Sequence, residues 1–150
     1  MKTVNLPAAV DNLGTLIGMV RSELVRAIEN EMVEKGIDLR FTQYLILKRL
    51  IQLGPVSATE LARAVELDGG AMTRQLDQLE QKGYLRRQPH AKDRRALRIE
   101  ITEGGAAEWQ QLSHCGEHAM AAAQRSLSAV ESEQLHDYLE RVLHALRNKD

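Results

Sequence analysis

Apolar side chains recur every three or four residues along much of the chain, a pattern that predicts amphipathic helices. The first stripe predicts a long helix over 10–35. A second helix is predicted to run from the N-cap Thr42 to the Gly-Pro pair at 54–55, because proline cannot continue a helix. Two more stripes, over 103–127 with Thr102 as N-cap and over 130–146, predict further helices toward the C-terminus.

Between these helices the pattern indicates shorter elements. Ser57 and Glu60 stand three residues apart, the spacing of a capping box, and open a short helix over 57–65. After a tight turn, a second short helix is predicted over 69–82 with Asp68 as its N-cap. This second helix has a narrow apolar stripe, so that polar side chains cover its remaining faces.

The pattern then changes from a helical to a strand period. Segments 84–88 and 97–101 alternate apolar and polar residues, which is typical of half-buried strands. The polar, turn-prone segment 89–95 between them predicts an antiparallel hairpin with a basic tip.

Two short helices followed by a basic hairpin predict a winged helix-turn-helix, here at about 42–102. The predicted fold class is mainly α with a small β-hairpin wing, in a single domain of 150 residues. Amphipathic helices at about 8–36 and 103–148, whose apolar stripes need a partner to cover them, are predicted to flank the winged module. The second short helix would fit the major groove of DNA, while an arginine at the tip of the hairpin would enter the minor groove.

Charge is distributed unevenly along the chain, although the formal net charge is only −1. Segment 72–98 contains eight basic residues against three acidic ones, a net charge of +5, which leaves −6 for the rest. A basic segment in an otherwise acidic protein indicates a polyanionic partner such as DNA. A solvated loop and helix face would have the same composition, so that charge alone leaves both interpretations open.

Composition and motifs argue against several classes of protein. A single cysteine, Cys115, excludes an intramolecular disulfide framework and favours a reducing cytoplasm. The apolar runs are far shorter than the roughly 20 residues of a membrane span, and the N-terminus lacks the apolar core of a secretory signal. Without a Gly-rich phosphate loop, a His-Glu-x-x-His motif or a Gly-x-Ser-x-Gly elbow, we expect neither an enzyme nor a cofactor.

Four strings of residues resemble the multiple-antibiotic-resistance-regulator (MarR) family of bacterial transcription factors. They are SATELA at 57–62, MTRQLDQLEQKGYLRR at 72–87, KDRR at 92–95 and IEITEGG at 99–105. The flanking helices also follow the family pattern, so the resemblance covers the whole chain. The chain departs from the family at 69–70, where two glycines replace the polar or basic pair that often begins the recognition helix.

The resemblance implies that the chain binds double-stranded DNA. Thr73 and Arg74 match recognition-helix residues that contact DNA, and Asp93 matches the wing residue that orients the following arginine, Arg94. Of Arg86 and Arg87, which alternate faces on a strand, one is expected to contact the DNA backbone and the other to form a surface ion pair. The candidate DNA-binding residues are Ser57, Gly70, Thr73, Arg74, Gln75, Gln78, Arg86, Asp93, Arg94 and Arg95.

Members of the family are usually homodimeric repressors that small, often phenolic, ligands release from pseudo-palindromic operators. The resemblance therefore implies a homodimer and a small-molecule effector as partners, and no membrane. The candidate dimerisation residues are Leu13, Leu135, Leu139, Val142 and Leu146. The candidate effector-binding residues are Met19, Val20, Glu23, Tyr44 and Leu47, for whose apolar members plain core packing is the alternative.

Other forms of regulation remain open at this stage. His114 and His118 lie four residues apart on one helix face, a spacing that metal-binding helices use, and the alternative is a solvated face. Cys115 would serve a redox sensor only if its thiol were exposed and had a lowered pKa. A winged domain that binds protein in place of DNA is a further alternative.

Overall fold

The computed structural model describes residues 11–67, 69–89 and 97–148. Within these ranges the chain is mainly helical with one small antiparallel sheet, which confirms the predicted fold class. The elements, in chain order, are α1 (Asp11–Glu34), α2 (Phe41–Leu53), β1 (Val56–Ser57), α3 (Ala58–Val65), α4 (Gly69–Gln81), β2 (Leu85–Pro89), β3 (Leu97–Ile101), α5 (Glu103–Ala123) and α6 (Ala129–Arg147).

The sheet has three strands in the order β1-β3-β2, so the prediction of a two-stranded hairpin was incomplete. In the antiparallel register Val56 pairs with Ile99, and Leu85 pairs with Ile101. The strand that the sequence pattern did not predict, β1, consists of only two residues, which lie between Pro55 and the first residue of α3. So short a segment has no alternation to detect, and only its pairing with β3 makes it a strand.

The hydrophobic core lies between α2, α3, α4, the inner face of the sheet and the central part of α5. Its largest fully buried side chains come from every one of these elements and from α1: Ile28, Met32, Ile46, Leu47, Leu50, Leu61, Met72, Leu79, Leu85, Ile99, Leu112 and Cys115. Such a core fixes α4 and the sheet in one orientation relative to each other.

Of the predicted N-caps, Ser57 and Thr102 are confirmed, Thr42 is wrong, and Asp68 lies outside the described residues. The hydroxyls of Ser57 and Thr102 accept hydrogen bonds from the third backbone N–H of α3 and α5, at 3.1 and 3.0 Å. Helix α2, however, begins at Phe41 with Arg40 as the N-cap, not with Thr42. The side chain of Gln43 accepts the Arg40 backbone N–H at 3.0 Å, so that a glutamine in the first turn provides a capping bond where a threonine hydroxyl was expected to.

Helix α6 stands apart from the rest of the protein. It begins with a capping box that the sequence pattern did not reveal, in which Ser128 and Glu131 each bond the other's backbone N–H, at 3.1 and 2.8 Å. It contains no buried residue, and it makes no extensive contact with another described element. None of the described helices, α6 included, is long and apolar enough to cross a membrane.

Candidate nucleic-acid interface

Helix α4 is the centre of the candidate interface because its two faces differ sharply. Met72, Leu76 and Leu79 are buried in the core. Most of its polar positions are exposed, among them Thr73 and Arg74. The periodicity that buries three apolar residues therefore presents the candidate DNA-binding residues to solvent, as the helical wheel predicts.

The exposed side chains of α4 differ in how firmly the protein holds them. The Thr73 hydroxyl donates a hydrogen bond to the Gly69 carbonyl at 2.9 Å, across one turn of the helix. The side-chain oxygen of Gln78 accepts a hydrogen bond from the buried Gln43 of α2, at 2.9 Å. The hydrogen bond between Gln43 and Gln78 therefore connects the solvent-facing side of α4 to the interior.

Gln75 does not lie fully on the exposed face. Its side chain is half-buried, and its Oε1 is buried without a hydrogen-bond partner in the part of the chain that the structure describes. This position agrees with the helical wheel, which puts Gln75 at the margin of the apolar stripe. A side chain in this position can reach a base edge only by leaving its half-buried site, in contrast to Arg74.

Arg86 and Arg87 both have acidic partners, whereas only one of the two was expected to form a surface pair. Arg86 forms an ion pair with Glu100, its cross-strand neighbour on β3. Arg87 forms an ion pair with Asp77 and lies 3.7 Å from the carboxylate of Glu80, both on α4. The positive charge of the two arginines is therefore largely neutralised within the protein.

The half-buried Arg87 fixes the orientation of the wing. Besides its ion pairs, its backbone N–H donates to the Glu80 carboxylate at 3.2 Å. At the end of α4, the Lys82 ammonium donates to the Asp38 carbonyl oxygen at 2.9 Å. These contacts hold β2 against one side of α4 and connect the end of α4 to the segment between α1 and α2.

Other candidates lie at the edges of the interface. Ser57 and Gly70 lie at the first turns of α3 and α4, with Gly70 exposed. Asp93, Arg94 and Arg95 lie outside the described residues.

The candidate effector residues do not come together in one place. Met19, Val20 and Glu23 line a cleft of about 530 Å³ between α1 and the end of α5, opposite Ala119, Ala122, Ala123 and Arg125. Leu47 is fully buried in the core, in agreement with the alternative of plain core packing, and does not line this cleft. The cleft is made of the α1 stripe and alanines of α5, and α2 contributes nothing to its lining.

Tyr44 also belongs to the core, not to this cleft. Its ring lies between Phe41 and Trp109, with centroids 5.8 and 5.5 Å away. Burial raises the pKa of its hydroxyl, with smaller contributions from Cys115 and Glu117. Helix α5 passes so close to the hydroxyl that a Cβ on Gly116 would lie 2.1 Å from it. The absence of a side chain at Gly116 therefore leaves room for the Tyr44 hydroxyl beneath α5.

The two histidines on α5 each lie close to a carboxylate. His118 Nδ1 lies 2.6 Å from Glu31 of α1, and His114 Nδ1 lies 3.7 Å from Glu117. Across residues 11–67, 69–89 and 97–148, no group of three or more metal-binding side chains is assembled. The geometry of the described residues therefore gives no support to the zinc interpretation.

Cys115 lacks the properties of a redox sensor. Its side chain is fully buried, and burial raises the pKa of its thiol above the ordinary value. A thiol that is both inaccessible and protonated reacts slowly with oxidants.

We expect a thiol-specific reagent to label Cys115 only when the chain is unfolded in denaturant. The labelling rate at mildly alkaline pH, followed with and without denaturant, checks this because Cys115 is the only cysteine. Stoichiometric labelling of the native protein at the rate of a free cysteine would show that the thiol is accessible.

The sequence is similar to those of known regulators. A protein-family model described as the MarR family matches residues 39–97. The chain is 31% identical over 132 residues to the multiple antibiotic resistance protein MarR of Salmonella typhimurium, an alignment covering 87% of this chain and 90% of that protein. The protein of the same name from Escherichia coli is 32% identical over 132 residues, with the same coverage.

Solved structures show the same similarity. The crystal structure of a mutant MarR from E. coli complexed with operator DNA has a TM-score of 0.81 at 27% identity, covering 94% of this chain and 99% of that one. The crystal structure of the transcriptional regulator SlyA has a TM-score of 0.80 at 28% identity, covering 90% and 94%.

Proposed function

The chain belongs to the MarR family of transcriptional regulators, and we propose that it is a homodimeric repressor. In this proposal it binds a pseudo-palindromic operator in double-stranded DNA and leaves it when a small, often phenolic, ligand binds. The similar MarR of E. coli has been crystallised with operator DNA, which supports the choice of DNA as the partner. A protein that regulates transcription would work in the cytoplasm, which the single cysteine also favours.

The exposed Arg74 on the outer face of α4 is the observation that best supports DNA binding. Among the described residues Arg74 has no acidic partner, whereas Lys82, Arg86 and Arg87 each have one. A helix fits the major groove, where an arginine can donate two hydrogen bonds to one guanine. Because the opposite face of α4 is fixed in the core, Arg74 is presented by a rigid support.

The apolar stripe of α6 supports the homodimer. Leu135, Leu139, Leu143 and Leu146 are between 43% and 68% exposed within one chain. On α1, Leu13 and Leu16 are 51% and 59% exposed. Two long helices with uncovered apolar stripes at opposite ends of the sequence can cover each other across a two-fold axis. Such a dimer presents two copies of α4 about one DNA turn apart, which is why the operator would be pseudo-palindromic.

The cleft between α1 and α5 supports a small-molecule effector. Its lining is mostly apolar, and it adds one carboxylate, Glu23, and one guanidinium, Arg125. An aromatic ring with a polar substituent matches this combination of surfaces. The ligand would release DNA only to the extent that it binds the conformation unable to bind DNA more tightly than the other.

We expect Arg74→Ala to lower affinity for the operator about 5- to 150-fold and to weaken discrimination at one base pair of each half-site. The physical reason is the removal of a bidentate contact to a base edge. The measurement is a fluorescence-anisotropy titration of full-length protein with a duplex selected from genomic fragments, and with single-base variants of that duplex.

The matched control is Arg49→Ala on α2, which removes another exposed arginine, one hydrogen-bonded to Gln52 of its own helix. It should bind all the duplexes as the wild type does. If Arg74→Ala has the affinity and the base preference of the wild type, α4 is not the recognition helix.

A further inference from the structure

The outer face of the sheet carries polar residues in two cross-strand rows. In one row Arg86 of β2 faces Glu100 of β3. In the other row Arg98 of β3 lies between Ser57 of β1 and Gln88 of β2. Residues paired across strands have side chains about 5 Å apart, so that each row is a group of neighbours.

The two rows differ in charge. Glu100 is the acidic residue on this face of β3, and its ion pair with Arg86 neutralises the first row. Arg98 is exposed and has no acidic partner within the described parts of the chain. Its neighbours in the row, a serine and a glutamine, are uncharged. The second row therefore keeps a full positive charge.

The position of Arg98 relative to the candidate interface indicates which partner its positive charge can contact. The strands β2 and β3 lead from this row toward the segment that joins them, the tip of the wing. Strand β1 ends at Ser57, where α3 begins. Arg98 thus lies one residue pair before the described ends of β2 and β3 and beside Ser57, where α3 begins. Ser57, a candidate DNA-binding residue, is its neighbour in the row, so a duplex that contacts the first turn of α3 would lie within reach of Arg98.

We propose that Arg98 binds a phosphate of the DNA backbone beside the first turn of α3, with Gln88 as a neighbouring hydrogen-bond donor. This inference rests on the proposed function, because it names a contact of the same protein with the same duplex. Arg98 makes a sequence-independent contact, in contrast to Arg74, so it contributes affinity and positioning but no base preference.

The test measures how DNA affinity depends on salt. Each phosphate contact contributes about −0.9 to the slope of log affinity against log salt, so Arg98→Gln should make the slope shallower by about 0.9 for each phosphate that residue 98 no longer binds. The wild-type advantage over the variant should then shrink by about 3.5-fold per phosphate when salt is raised fourfold. The probes are a mixed-sequence duplex and the duplex selected by the wild type.

Three variants serve as controls. Arg98→Lys keeps the charge and should keep the slope. Arg49→Gln makes the same change of charge on α2, at an exposed arginine bonded to Gln52 of its own helix, and should leave slope and affinity unchanged. Arg86→Gln removes an arginine that Glu100 already neutralises, and should change the slope less than Arg98→Gln does. Thermal unfolding of each variant, compared with the wild type, shows that the fold is kept.

The outcomes separate this inference from the proposed function. If the wild type binds both duplexes with a steep salt dependence and Arg98→Gln has the same slope and affinity, Arg98 contacts no phosphate and this inference alone is overturned. If the wild type binds neither duplex, the proposed function is overturned and this inference with it. A shallower slope with unchanged base preference supports both.

Discussion

Replacing Leu139 by Glu is expected to convert the protein from a dimer to a monomer and to lower its affinity for the operator by about 100-fold or more. Leu139 lies in the middle of the exposed apolar stripe of α6, where 44% of its surface is accessible in one chain. In the proposed dimer this surface is covered by the partner subunit. A carboxylate there would have to be buried without a partner, which is unfavourable.

The weaker binding follows from the absence of the second half-site interaction. Once one recognition helix of a dimer is bound, the second binds its half-site at a high effective concentration. This gain in affinity is about 100- to 10,000-fold, and a monomer does not have it. The upper end of this range lies far above the 5- to 150-fold expected for the loss of the Arg74 contact.

Light scattering coupled to gel filtration measures the mass, and anisotropy with the selected duplex measures the affinity. Gln134→Glu is the matched control, because it introduces the same negative charge at another exposed position of the same helix, outside the apolar stripe. A Leu139→Glu protein that remains dimeric at the concentrations used for binding would show that α6 does not form the interface.

The long helices could be predicted from the sequence because the apolar residues that repeat along each helix are also the residues of its apolar face. The steps of three and four in α1, α4 and α6 locate these helices within one or two residues. The errors fall where the decisive interaction is not local. Strand β1 exists through its pairing with β3, about 40 residues away, and no pattern within Val56–Ser57 indicates it.

The same reasoning explains what was and was not predictable at the interface. The exposure of Arg74 follows from the helical wheel of α4 alone, in which Arg74 lies opposite the apolar stripe. The acidic partners of Arg86 and Arg87 depend on the strand register and on the packing of β2 against α4, which the charge pattern does not specify. The separation of Met19 from Leu47 likewise depends on how α1 crosses the core, which the two stripes alone leave undetermined.

Gly105→Ala is expected to destabilise the protein by about 2 kcal/mol or more and to lower Tm by roughly 5–10 °C. Gly105 occupies the third position of α5, and its N–H donates to the hydroxyl of the N-cap Thr102. A Cβ at this position would lie 2.0 Å from the carbonyl oxygen of Tyr84 and 2.6 Å from the side chain of Ile101. A backbone oxygen cannot rotate away as a flexible side chain can.

The clash has to be relieved by moving α5 away from the junction of α4 and β2. The Tyr84 carbonyl that the new Cβ would strike also accepts the Thr102 backbone N–H at 3.1 Å, and the Thr102 hydroxyl donates to the Gly83 carbonyl at 2.6 Å. Any shift large enough to admit the methyl group therefore strains both hydrogen bonds. Because α4 and β2 meet at this junction, the shift should also weaken operator binding.

Thermal unfolding at fixed protein concentration measures the effect, with operator affinity at low temperature as the second readout. Gly69→Ala is the control for the replacement of a glycine, because a Cβ there would have no neighbour within 4 Å. Its unfolding should match the wild type within about 1 kcal/mol, since its position in the first turn of α4 makes the change in helix propensity small. Equal stability of Gly105→Ala and the wild type would mean that α5 does not pack tightly on the Tyr84 carbonyl.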